Sequence, residues 1–159
     1  MIESFALLPQ ATSGAAPAWS GSESPRDLPD SPGVSRGLLA TLLLVDDEDR
    51  LRRVTARSLR QIGYDVLEAA SETEALDIWH RHGAKVSLLL TDVFLRNRSS
   101  GFRLASQLKR FKPTVKVVVS SGFFDGLSPE LNSNPWLHFL SKPYDFDTLA
   151  RTVRECLNS

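Results

Sequence analysis

The sequence predicts an α/β domain built on a doubly wound, five-stranded parallel sheet. Three observations carry that reading. Short continuous apolar runs, among them Leu42-Leu43-Leu44-Val45 and Leu88-Leu89-Leu90, have the character of strands covered on both faces. Each run is followed by a stretch of different period, in near-strict alternation of strand and helix. Three of the runs also end on ionisable residues: Asp46-Asp47-Glu48, Asp92 and Lys142-Pro143. Ligands of such sheets bind beyond the carboxyl ends of the strands, so these residues are expected to converge on one spot.

The first strand is expected over 41–45. A helix follows over 49–62, with Leu51, Val54, Ser58 and Ile62 on one face, Asp49 as a candidate N-cap and Gly63 as the stop. The second strand covers 64–69. Ser71 and Glu74 have the spacing of a capping box, opening a helix that runs to 82 and ends at Gly83. The third strand spans 86–91 and the third helix 101–111, which Pro113 breaks before a fourth strand at 115–120. The Gly- and Pro-punctuated stretch 122–135 holds at most a short helix at 128–132. The fifth strand lies at 136–140, and a last helix at 145–157 repeats Phe146, Leu149, Val153 and Cys156. Right-handed crossovers between the parallel strands place helices on both faces.

Residues 1–38 differ in kind. Five of the nine prolines (Pro9, Pro17, Pro25, Pro29, Pro32) lie there among Ser, Gly and Ala, without a sustained apolar period. Such a segment cannot bury enough apolar surface to offset its ordering entropy. A flexible tail is expected, followed by a folded domain over 39–159. Phe5-Ala6-Leu7-Leu8 and Trp19 read as incidental apolar residues within that tail.

The chain of 159 residues carries 19 Lys plus Arg and 19 Asp plus Glu. A zero net charge weighs against a nucleic-acid module, which needs a basic face for phosphates. The single cysteine, Cys156, excludes an internal disulfide and a cysteine zinc site, and its helical position is that of a core residue. His80, His82 and His138 show no metal-ligand spacing. No stretch approaches the ~20 apolar residues of a membrane span. Met1-Ile2-Glu3 lacks the basic start of a secretory signal, and a cytoplasmic location is expected.

The chemistry follows from charge. Two carboxylates ~4 Å apart repel by about 4 kcal/mol at an effective dielectric near 20. Three strand-end carboxylates therefore need a compensating cation. Magnesium, a hard ion with oxygen ligands, suits a few carboxylates together with waters and a phosphate oxygen. Lys142 adds a second positive charge on a stem long enough to reach a phosphoryl group. With Asp46 and Asp47 on the metal, Asp92 is left as nucleophile or acceptor. The fourth strand ends in Ser120-Ser121-Gly122, a hydroxyl with room beside it. Taken singly, an acidic pair after a strand is often only a solvated loop, and Lys-Pro says less. Their joint placement at three strand ends, with a hydroxyl at a fourth, carries the site.

Leu-Leu-Val-Asp-Asp-Glu, Thr-Asp-Val at the third strand, Val-Val-Ser-Ser-Gly at the fourth and Phe-Leu-Ser-Lys-Pro at the fifth resemble the receiver domain of two-component response regulators. The resemblance covers 39–159 and implies a flavodoxin-like sheet of order 2-1-3-4-5. It implies that Asp92 is the phosphoacceptor, and that Asp46, Asp47, Asp92 and the backbone carbonyl of Phe94 bind Mg2+. Lys142 and Ser121 would contact the phosphoryl group, Ser121 as the switch hydroxyl. Phe139 fits the aromatic residue whose rotamer reports phosphorylation, or ordinary strand packing. The implied donor is a histidine kinase or histidine phosphotransfer protein. No output module follows the last helix, so the expectation is a stand-alone, non-enzymatic switch acting on an unknown protein target, without nucleic-acid or membrane partners.

The sequence departs from that pattern at three places. Arg96 stands where proline is common, in a slightly long loop of the kind found in some hybrid-kinase receivers. Phe94 and Phe123, two residues past Asp92 and Ser121, are bulky positions expected to shield an acyl phosphate from water. The tail is the third. Two other readings compete: a phosphorylation-independent module with this fold, and a haloacid-dehalogenase-type phosphatase. The phosphatase class places an acid/base residue two positions after its nucleophile, where this chain has Phe94.

Overall fold

The computed structural model describes residues 40–95, 100–122 and 134–159. The expected tail, the short helix at 128–132, Arg96 and Phe123 lie outside them. Within the described residues the chain runs β1 (Thr41–Val45), α1 (Asp49–Gln61), β2 (Asp65–Ala69), α2 (Glu72–His82), β3 (Val86–Asp92), α3 (Gly101–Phe111), β4 (Lys116–Ser121), β5 (Leu137–Ser141) and α4 (Phe146–Asn158). All four strand pairings are parallel, in the order β2-β1-β3-β4-β5. This is the flavodoxin-like arrangement that the sequence leads one to expect.

Strand alternation divides the core in two. Leu43, Val45, Leu89, Val117 and Val119 face Trp79 of α2 and Leu104 and Leu108 of α3. Leu42, Leu44, Leu88, Leu90 and Val118 face Ala56 and Leu59 of α1 and Leu149, Val153 and Cys156 of α4. The central strands are thus buried on both sides, which is why they read as unbroken apolar runs. Cys156 is fully buried, and burial pushes its thiol up to about 11.

Two helix faces differ from expectation. On α1 the buried residues are Arg52, Thr55, Ala56 and Leu59, whereas Val54 is 59% exposed. The inward face is turned about one residue from the apolar spacing, because Arg52 is drawn under the β1–α1 loop by polar partners. On α4 Phe146 is 44% exposed at the first turn, while Leu149, Val153 and Cys156 face inward. Asp145 caps this helix, accepting from Thr148 N–H at 2.8 Å.

The punctuation behaves as local chemistry requires. Gly63 adopts φ 100°, a conformation that favours glycine, immediately after α1. Ser71 accepts from Glu74 N–H at 3.2 Å, and the Glu74 carboxylate reaches back to the N–H of Ala70 rather than Ser71. Gly83 is right-handed; it is required because an added Cβ would fall 2.6 Å from the Trp79 carbonyl oxygen. Among the described residues, no helix is long and apolar enough to cross a membrane.

Candidate functional site

The site forms where β1, β3, β4 and β5 end together. Register pairs Val45 with Thr91, Asp92 with Ser120 and Ser121 with Ser141. Asp46 follows Val45, and Lys142 follows Ser141. Carboxylate oxygens of Asp46, Asp47 and Asp92 lie within 4.8 Å of one another. Lys142 Nζ donates to Asp92 Oδ2 at 2.6 Å and to Asp46 Oδ2 at 3.1 Å.

Each member is held by its own element. Asp46 is 3% exposed; its N–H donates to the Ala69 carbonyl at 3.1 Å, and its Oδ1 accepts from Glu48 N–H at 2.8 Å. Asp49, the cap expected from sequence, is instead the first helical residue of α1. The N-cap position is Glu48, which makes no side-chain capping bond. Asp46 therefore closes the turn before α1 by accepting from the Glu48 N–H, and does not cap the helix itself.

Arg52 supports that turn from below. It is buried, its Nη1 donates to the Asp46 carbonyl at 2.8 Å, and its guanidinium pairs with Asp49 and lies 3.8 Å from Glu68. Helix α1 carries five arginines, Arg50, Arg52, Arg53, Arg57 and Arg60, and no spacing in the sequence singles out Arg52 among them.

On β3, Asp92 Oδ1 accepts from Phe94 N–H at 3.1 Å, so its two oxygens have different donors. The chain then closes on itself: Phe94 bridges to Ser100, and Gly101 N–H donates to the Val93 carbonyl at 3.0 Å. A Cβ on Gly101 would sit 1.9 Å from the Asp92 carbonyl oxygen and 2.5 Å from Thr91 Oγ1. Sequence pattern marks Gly101 only as the start of a helix, and this close approach is not legible from it.

Lys142 is fixed from both sides. Its N–H donates to the Ser121 carbonyl at 2.8 Å, and the bond to Pro143 is cis. Tyr144 OH lies 3.2 Å from Thr55 Oγ1, tying the segment to α1. Burial of the Lys142 ammonium pulls its pKa down, but the hydrogen bonds and charges of Asp92 and Asp46 outweigh this and hold it above the ordinary lysine value. The group is a permanent cation at neutral pH.

Ser120 and Ser121 are both buried at the end of β4 and alternate between sheet faces. Ser120 Oγ turns back toward the Thr91 carbonyl at 3.4 Å. Ser121 lies two residues beyond Val119, which is in register with Phe139. Ser121 and Phe139 consequently share the sheet face covered by α2 and α3, where Phe139 is partly buried against the core. Phe94 is 65% exposed, and its hydrocarbon side chain has no proton to transfer.

The donor set is all oxygen and strongly negative, which fits a hard dication far better than a soft one. Two positions after Asp92, where the phosphatase class places its acid/base residue, this chain has Phe94.

Comparison with known proteins agrees with this geometry. The family model described as response regulator receiver domain matches residues 42–154. The sensor kinase CckA of Brucella abortus (strain 2308) is 38% identical over 119 residues, which are 74% of this chain and 12% of that protein. The response regulator receiver protein CpdR of the same organism is 26% identical over 117 residues, 73% of this chain and 95% of CpdR. The crystal structure of the receiver domain from the hybrid histidine kinase CckA superposes with a TM-score of 0.63 at 36% identity, covering 74% of this chain and 99% of that one. The chain spans only a small part of the Brucella abortus sensor kinase CckA, and nearly all of the solved CckA receiver domain. A parallel sheet of order 2-1-3-4-5, three clustered carboxylates and a lysine across from them accompany a family match over most of the chain: it belongs to the response regulator receiver domains of two-component signalling.

Proposed function

We propose that Asp92 is the residue phosphorylated, with a phosphohistidine of a histidine kinase or phosphotransfer protein as donor. An Asp92 carboxylate oxygen attacks phosphorus, the P–N bond breaks as the P–O bond forms, and the imidazole nitrogen takes the leaving electron pair and a proton. The observation that carries this reading is the single ammonium of Lys142 placed 2.6 Å from Asp92 and 3.1 Å from Asp46.

Asp46, Asp47, Asp92 and the Phe94 carbonyl are the groups that would hold Mg2+, which when bound neutralises charge on the transferring phosphoryl oxygens. The chain's own residues do the rest. Lys142 offsets carboxylate charge before transfer and phosphoryl charge after it. Phe94 N–H holds one Asp92 oxygen in place. The exposed phenyl of Phe94 stands two residues from the acceptor, where it limits the approach of water.

The output is a population shift. A phosphoryl group adds about two negative charges beside Lys142 and Ser121. Movement of Ser121 toward them frees space on the face that it shares with Phe139, and a two-state surface of β4, β5 and α4 is biased. The altered surface meets a protein target, and neither turnover of a substrate nor nucleic-acid binding is part of this function.

Incubation with a small phosphodonor and magnesium, read by intact mass, tests the reading. One added phosphate on the wild type and none on Asp92→Asn is the expected result. Equal labelling of both proteins would overturn it, and no labelling of the wild type would favour a phosphorylation-independent module.

A further inference from the structure

At the opposite end of the sheet the strands begin beside a cleft of about 540 Å³. Ser87 on its wall and Asp92 stand at the two ends of β3, about 17 Å apart at roughly 3.3 Å per residue. The cleft therefore has no part in the carboxylate site.

Its lining combines two kinds of surface. Lys112, Lys116 and Arg154 supply three cations, and among the described residues no acidic side chain lines it. Ser87 and Thr114 add hydroxyls, while Tyr64 and Leu157 give an apolar floor.

The three cations are not equivalent. The Lys112 ammonium donates to the carbonyls of Gly83, Ala84 and Val86 at 3.4, 3.0 and 2.7 Å, so all three of its protons are committed. Lys116 Nζ is engaged by the carbonyl and hydroxyl of Ser159. Both act on the cleft through charge. Arg154 is exposed on α4, and among the described residues its guanidinium has no ion-pair partner. Its charge is felt by Tyr64, whose pKa burial raises and Arg154 lowers in part.

A planar fork of free donors, two hydroxyls and a positive field form an arrangement suited to phosphate. The apolar floor suits a ring, and the volume lies within the roughly 300–1,000 Å³ of small-molecule sites. We propose that this cleft binds a phosphorylated ring compound of nucleotide size, its phosphates on Arg154, Thr114 and Ser87 in the field of Lys112 and Lys116, and its ring against Tyr64 and Leu157.

ATP is the probe, titrated into the full chain in EDTA so that a metal-dependent contact with Asp46 or Asp92 is removed. Calorimetry should give one site, and amide resonances of Ser87 and Thr114 should shift while those of Asp92 and Lys142 stay in place. Arg154→Glu, an exposed substitution that leaves the core intact, should weaken binding about tenfold or more, the loss of a charge-assisted contact. Phosphorylation of Asp92 in that variant should be unchanged, which separates this site from the acceptor. Unchanged ATP affinity in Arg154→Glu, pyrophosphate binding as tightly as ATP, or shifts centred on Asp92 would each overturn the proposal.

Discussion

Lys142 Nζ lies 2.6 Å from Asp92 Oδ2, so the end of β5 is linked to the end of β3 by an ammonium that also reaches Asp46 at 3.1 Å. Replacing this lysine leaves Asp46, which is almost wholly buried, facing Asp92 without a cation. Lys142→Met should lose about 1–3 kcal/mol in EDTA, the cost of a buried polar group stripped of its partner. Magnesium should restore part of it. The pH dependence has a definite sign: the folded pKa is raised, so this contribution is complete below the ordinary lysine pKa and is lost as pH rises through the raised value. Urea unfolding of both proteins across alkaline pH checks this, with the difference between them shrinking at the high end.

The carboxylates should behave oppositely toward metal. A ligand that binds only the folded state stabilises it by RT ln(1 + [L]/Kd), about 2.7 kcal/mol at a hundredfold excess over Kd. Magnesium should therefore raise the melting temperature of the wild type, and Asp47→Asn should abolish most of that rise. Removing one negative charge from a cluster within 4.8 Å should also leave Asp47→Asn at least as stable as the wild type without metal. A melting temperature that responds equally to magnesium in both proteins would remove Asp47 from the ligand set.

Phe94 separates what the backbone does from what the side chain does. Its N–H holds Asp92 Oδ1 at 3.1 Å, a contact that any residue but proline preserves. Phe94→Asn keeps that bond and exchanges the phenyl for a polar group able to hold water. The phosphorylated form should then decay several-fold faster, with its rate of formation little changed. Time-resolved intact mass after removal of the phosphodonor measures both.

How much of this was legible in the sequence depends on what each residue answers to. Leu42 to Val45 and Leu88 to Leu90 are buried on both faces, so composition alone marks them as strands and topology then places Asp46 and Asp92 side by side. The inward face of α1 was not legible, because apolar spacing favoured Val54 while a charged residue, Arg52, is the one buried. The approach of Arg52 to Glu68 depends on β2 lying next to β1, which no local pattern encodes, whereas its bonds to the Asp46 carbonyl and to Asp49 stay within the adjoining loop and helix. Asp49 was read as a cap for a similar reason. The rule asks only for a short acidic residue ahead of the first turn, and the backbone path makes Glu48 the N-cap and Asp49 the first helical residue.

The shared sheet face of Ser121 and Phe139 gives a spectroscopic test of switching. Register places Phe139 beside Val119, two residues behind Ser121, so a shift of the hydroxyl is felt on the aromatic side. Beryllofluoride, which stands in for the phosphoryl group on a carboxylate, should move the Phe139 ring resonances in the wild type and not in Asp92→Asn. Ring signals unmoved by beryllofluoride in a protein that binds it would leave Phe139 as strand packing alone.

Two glycines near the acceptor should answer oppositely to the same substitution. Gly101 opens α3 directly under the Asp92 backbone, and an added Cβ would lie 1.9 Å from the Asp92 carbonyl oxygen. The obstacle is main chain at the end of a central strand, which cannot move without displacing the carboxylate that it carries. Gly101→Ala should therefore cost about 1–3 kcal/mol as an overpacking change. It should also slow phosphorylation by more than the unfolded fraction explains. Gly122 follows Ser121, and among the described residues a Cβ there meets nothing within 4 Å. Gly122→Ala should leave stability within about 0.5 kcal/mol of the wild type, as substitutions clear of packing usually do. Urea unfolding and labelling rates on the pair separate crowding of the acceptor strand from a general need for glycine at the site. Equal behaviour of the two variants would mean that the contact between Gly101 and Asp92 does not set the acceptor's position.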